Sequence, residues 1–313
     1  MLEHNTIGLS IFQSAARLTV VGALLAAAAC TFKAEDLKSV PSNLTSGSIA
    51  AGSSTSLQMA TFDTIDHATS SNPDVLTVTG QGFDSVSVTS SGKLGSATIT
   101  AYDAANNVLG ANTAQIVPTT VIALDEGVSS GLTVLVGQPY GVHATTIGAD
   151  GGTLVGDGAI HFAYQGGLTT SADSDACFWG GDCGGFEFAA PGDGQVIMTA
   201  TSTSATTTLA LHAVASVDTF TLSQSSIDLP RFQADAGSET STVSYAISTA
   251  GKPVSALPSC VVADNDMVMA MPPMGSELRA PGGTIGLAGF AAGSTTVTCT
   301  VGGQTATLTV NVK

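Results

Sequence analysis

The sequence predicts an all-β protein, with three tandem β-sandwich domains behind a signal peptide and a short tether. Three observations carry that expectation. Apolar residues alternate with Thr and Ser at a period of two over many short segments, so one face of each is buried and the other solvated. Charged residues are only 10% of the chain, while hydrophobic ones reach 43%, enough to build cores between Gly-rich turns. A strand motif also recurs at a fixed spacing: GSATITA from Gly95, GQVIMTA from Gly194 and GSTTVTC from Gly293, 99 residues apart each time.

The first segment is not part of the fold. Arg17 precedes twelve uncharged, mostly apolar residues that end at Cys30. A membrane-spanning helix needs about 20, so this stretch reads as the apolar region of a signal peptide, residues 1–29. The small residues before Cys30 resemble a bacterial lipobox, with Ala27 where Leu is usual. That resemblance implies that Cys30 is lipidated, becomes the mature N-terminus and anchors the protein in the cell envelope, at the outer membrane or cell surface. An ordinary cut after Ala29 is the other reading. The cysteine count favours lipidation: five cannot all pair, and without Cys30 four remain, Cys177, Cys183, Cys260 and Cys299, in an oxidising compartment. Residues 30–45 are polar and aperiodic and read as a tether.

Domains are expected over 46–118, 119–215 and 216–313. Each repeat motif starts at a turn glycine and alternates. Ala97, Ile99 and Ala101 should point inward, as should Val196, Met198 and Ala200, and Val297 and Cys299. SNPDVLTV from Ser71 with GSATITAYD, and ADNDMVMA from Ala263 with GSTTVTCTVGGQTATLTVNV, resemble bacterial Ig-like domains of group 2. The middle repeat keeps only PGDGQVIMTATS and its following strand. The resemblance implies Ig-like sandwiches, and short linkers near Pro118 and Ser216 would join them into a semi-rigid rod. It carries no activity, because one fold hosts many functions.

Cys260 and Cys299, on alternating strands of the third domain, should staple two of its strands. The chain-entropy model gives such a loop of about 40 residues roughly 3.9 kcal/mol. Cys177 and Cys183 form the other expected pair. Their ring of about seven residues is worth less, roughly 2.4 kcal/mol, so it shapes a loop rather than holding a domain. That ring contains Phe178, Trp179 and Asp182, and Trp179 is the only tryptophan of the chain. If the rings project outward they form a rigid aromatic platform for a sugar or a protein. If they fold back they plug the end of the middle sandwich.

Acidic residues outnumber basic ones 24 to 8, and no Lys/Arg cluster exists, which argues against nucleic acid as a partner. The five histidines show no metal-ligand spacing, and His143 and His212 should face solvent. No catalytic residue and no bound metal is expected. Asp pairs at 63 and 66, 173 and 175, and 264 and 266 leave calcium as the one cofactor to consider; turn chemistry accounts for Asp264 and Asp266 equally well. The expected function is non-catalytic: a rod-like envelope lipoprotein that displays or adheres, with a protein or glycan partner. The alternatives are a structural subunit of an envelope or filament assembly, or an accessory to a glycan-processing enzyme.

Overall fold

The computed structural model describes residues 48–59, 61, 63–125, 128–171, 182–232, 240–271, 278 and 281–313. The leader, the tether and Cys30 lie outside the described residues, as do Cys177, Phe178 and Trp179.

Among the described residues every regular element is a strand. The first sandwich holds β1 (Ile49–Ala50), β2 (Ser54–Gln58), β3 (His67–Ser70), β4 (Leu76–Gln81), β5 (Ser85–Ser90), β6 (Gly95–Tyr102) and β7 (Val108–Val117). Its sheets run β1-β7-β6-β3 and β2-β5-β4. The second holds β8 (Val121–Leu124), β9 (Leu132–Leu135), β10 (Pro139–Ile147), β11 (Ile160–Gly166), β12 (Leu168–Thr170), β13 (Cys183–Phe188), β14 (Gly192–Ala200) and β15 (Thr206–Val214). The third holds β16 (Thr219–Leu222), β17 (Ser226–Leu229), β18 (Ser241–Thr249), β19 (Lys252–Ser255), β20 (Ser259–Val262), β21 (Val268–Met271), β22 (Gly283–Gly289), β23 (Gly293–Val301) and β24 (Gln304–Val312).

One pairing scheme is used three times. A short early strand lies parallel to the last one: β1 to β7, β9 to β15, β17 to β24. The last two strands form an antiparallel hairpin, and the strand before them pairs into the opposite sheet. In immunoglobulin letters the sheets are A′-G-F-C and A-B-E-D, the first sandwich lacking A. Each sandwich encloses its own apolar cluster, as the period-two alternation requires. Ala97, Ile99 and Ala101, Val196, Met198 and Ala200, and Val297 and Cys299 are all buried, as expected.

The middle repeat departs from the spacing read in the sequence. Gly95 lies opposite Ile116 with φ +145°, and Gly293 lies opposite Val312 with φ +146°. The glycine with matching geometry in the second sandwich is Gly192, opposite Ala213 with φ +150°, two residues before Gly194. Gly194 sits inside instead. A Cβ there would lie 2.6 Å from Leu168 Cδ1 and 2.8 Å from Phe188 Cζ, so the absence of a side chain makes room for the Phe188 ring.

Where short linkers were expected, the sandwiches meet through β-pairing. The Ala50 N–H donates to Val155 O, and the Val155 N–H donates to Ser48 O, both at 3.0 Å. Thus the segment between B and C of the second sandwich adds a rung to the A′ strand of the first. Strand β19, between B and C of the third, pairs in parallel with β9, the A′ strand of the second. One sheet therefore runs from β11 through β9 and β19 to β21. Leu278 of the third repeat is 3% exposed within the second core, and its N–H donates to Gly141 O at 2.6 Å.

Candidate functional site

The expected site is the loop that ends at Cys183, and the structure describes its base. Cys183 opens β13 and is disulfide-bonded. Beyond it β13 alternates, placing Gly184, Phe186 and Phe188 inward. Gly184 packs against β11: a Cβ there would lie 2.4 Å from Phe162 Cδ1 and 2.8 Å from the Tyr164 hydroxyl. Tyr164 leans on Phe186 with ring centroids 6.3 Å apart, and Phe186 stacks on Tyr140 at 5.7 Å. These rings form a rigid column from the loop's base into the second core. Burial pushes the hydroxyls of Tyr140 and Tyr164 to higher pKa, the former far above the usual tyrosine range.

Asp182 bears on the chain itself. Its carboxylate accepts the Gly158 N–H at 2.7 Å, with further bonds from the backbone of Ile160 and Ala159, and its carbonyl accepts the Ala144 N–H at 3.0 Å. Burial raises its pKa above the ordinary aspartate value, against the lowering pull of those N–H groups. Asp182 therefore braces the turn at 158–160, a role the sequence reading did not assign to it.

His143 does not face solvent as expected. It sits opposite Cys183 on β10, half-buried, with Nε2 enclosed. Val142, Ala144 and Thr146 point inward and alternate with His143, Thr145 and Ile147, but that outward row is half-buried rather than exposed. His212 is exposed as expected, with its Nδ1 2.7 Å from Asp193 Oδ1, its cross-strand neighbour. This pair lies in an open groove of about 510 Å³. Gln165 and Gln195, directly opposite each other, line the same groove. No group of three or more His, Cys, Asp or Glu assembles among the described residues. Asp264 caps its own turn, its Oδ1 accepting the N–H groups of Asp266 and Met267 at 3.1 and 3.2 Å.

The Cys260–Cys299 disulfide is formed. It joins directly opposed residues of C and F within one sheet, rather than crossing the core between sheets. Cys299 is fully buried.

No family model matches the sequence, and no curated protein matches it significantly. Among solved structures, domains 4–9 of the S-layer protein SbsC align over 79% of this chain and 39% of that one, at 17% identity and a TM-score of 0.32. Domains 4 and 5 of the same protein align over 68% of this chain and 88% of that one, at 15% identity and 0.28. The D0–D1 domain of intimin aligns over 61% of this chain and 95% of that one, at 12% identity and 0.23. Scores of this size carry nothing about function, and the sandwich assignment rests on the strand order.

Proposed function

We propose that the protein is a non-catalytic surface module, lipid-anchored through Cys30 in the bacterial envelope, which displays or adheres and meets a protein or glycan partner through the loop from Cys177 to Cys183. The observation that supports this most is how the base of that loop is held. Cys183 is bridged, Asp182 is pinned by backbone N–H groups, and close packing against the Phe162 and Tyr164 rings leaves no room for a side chain at Gly184. A loop on a fixed base loses little entropy on binding. A non-catalytic reading also suits the groove. Its His212–Asp193 pair is exposed, with side chains 55% and 89% accessible, so it lacks the water-excluded surroundings in which such a pair acts as a catalyst.

The test is binding to a glycan array and to solubilised native envelope, with wild type and Trp179→Ala side by side. The reading expects at least a tenfold loss of binding with an unchanged melting temperature. A lower melting temperature with intact binding would make Trp179 a plug of the middle sandwich and defeat the proposal. Mass spectrometry of the mature N-terminus decides separately whether Cys30 carries acyl chains.

A further inference from the structure

The two junctions use the same backbone position. Ile49, Val134 and Leu229 are equivalent, each lying on A′ opposite the residue of G that faces the strand-start glycine. Two residues further on, the N–H groups of Ala51, Val136 and Arg231 donate to Val117, Val214 and Lys313, which confirms the register. The residue between is Ala50, Leu135 or Pro230.

In the first sandwich this residue's N–H points away from its own sheet and donates to Val155 O of the second. In the second, the Leu135 N–H donates to the Tyr140 hydroxyl at 2.8 Å, and that hydroxyl lies between Ser255 O of the third sandwich at 3.1 Å and, within its own sandwich, Leu135 O at 3.1 Å and Gln138 Oε1 at 3.3 Å. The same donor is thus used directly once and through a hydroxyl once. In the third sandwich the position is proline, which has no N–H to offer. Beside it Asp228, exposed, bonds Lys313 and Asn311 on the neighbouring strand. Proline and charged side chains on an edge strand are the devices by which proteins keep other strands from adding.

We propose that the amide at this A′ position decides whether a sandwich accepts a neighbour, that its ligand is the B–C segment of another Ig-like sandwich, and that Pro230 closes the third sandwich to such a partner, a second copy of this chain included. Chains therefore do not join through this edge as they would in an open filament.

The experiment has two arms, both on the full chain. In the first, hydrogen exchange follows the junction amides. Ala50→Pro is expected to speed exchange at Val155 by about tenfold or more, while Ala50→Gly, which keeps the N–H, does so far less. Leu135→Pro does the same at Leu257, against Leu135→Ala, and the amides of Ile99 and Val196 keep their protection in all four variants. Proline variants no looser at the junction than their controls overturn the proposal. In the second arm, sedimentation measures self-association of wild type and Pro230→Ala. One recovered hydrogen bond predicts an association constant about fivefold higher in the variant. Equal constants, or a wild type that already associates through this edge, overturn the role given to Pro230.

Discussion

The side chain of Gln138 pairs with the backbone of Leu257 as though it were a strand. Its Nε2 donates to Leu257 O at 2.9 Å, and its Oε1 accepts the Leu257 N–H at 3.0 Å, across 119 residues of sequence. Both groups are part-buried, so water replaces the pair poorly. Gln138→Ala is expected to cost about 1–3 kcal/mol in chemical denaturation and to speed exchange of the Leu257 amide. A variant as stable as wild type would show that water already serves these groups.

Tyr140→Phe removes only an oxygen. The ring stays stacked on Phe186, while the buried Leu135 N–H loses its acceptor. A loss of about 1–3 kcal/mol is expected. A double-mutant cycle with Gln138→Ala should be non-additive, because the two side chains are 3.3 Å apart in one network.

Removing the disulfide should weaken the third sandwich first. Ala101, paired with Ala68, holds in the first sandwich the position that Cys299, paired with Cys260, holds in the third, so Cys260→Ala with Cys299→Ala fits the core. The 39-residue separation gives a loss of roughly 4 kcal/mol in the chain-entropy model. Denaturation monitored by exchange at Leu308 against Ile99 locates the loss.

The glycines of β14 separate two costs. Gly194→Ala forces a methyl group against Leu168 and Phe188 and is expected to cost about 1–3 kcal/mol from overpacking. Gly192→Ala meets open space but a positive φ, and should cost about 1 kcal/mol. Equal midpoints for the two variants would contradict this placement of the turn.

Two carboxyls should titrate in opposite directions. Burial raises Asp182, so the folded protein takes up that proton at higher pH than the unfolded chain. Its contribution to stability is full below the ordinary aspartate pKa and is lost as pH rises through the raised value. Asp228 is held down by Lys313 and Asn311; its contribution is present above the ordinary value and lost as pH falls through the lowered one. Carboxyl ¹³C titration is expected to place Asp182 above Asp228, and the reverse order would refute both assignments.

Much of the fold was legible because burial in a half-exposed strand repeats every two residues. Ile99, Met198 and Val297 declare themselves by alternation alone. The Cys260–Cys299 pair was legible too, since both lie on strands of one repeat. The alternation gave the right face for His143 but not its half-burial, and it misled at Gly194, where identical letters hid a two-residue shift. Nothing local marked Tyr140: a tyrosine in an alternating strand reads as core, and its hydroxyl serves groups of two sandwiches at once.

By itself, then, the sequence determined the sheets and their three cores, because strand alternation is a property of neighbouring residues and survives without knowledge of partners. Only the tertiary structure decided how the sandwiches join, and which N–H of each A′ strand is offered or withheld. Those hydrogen bonds link groups about a hundred residues apart, and their strength comes from burial that exists only once both sandwiches have folded.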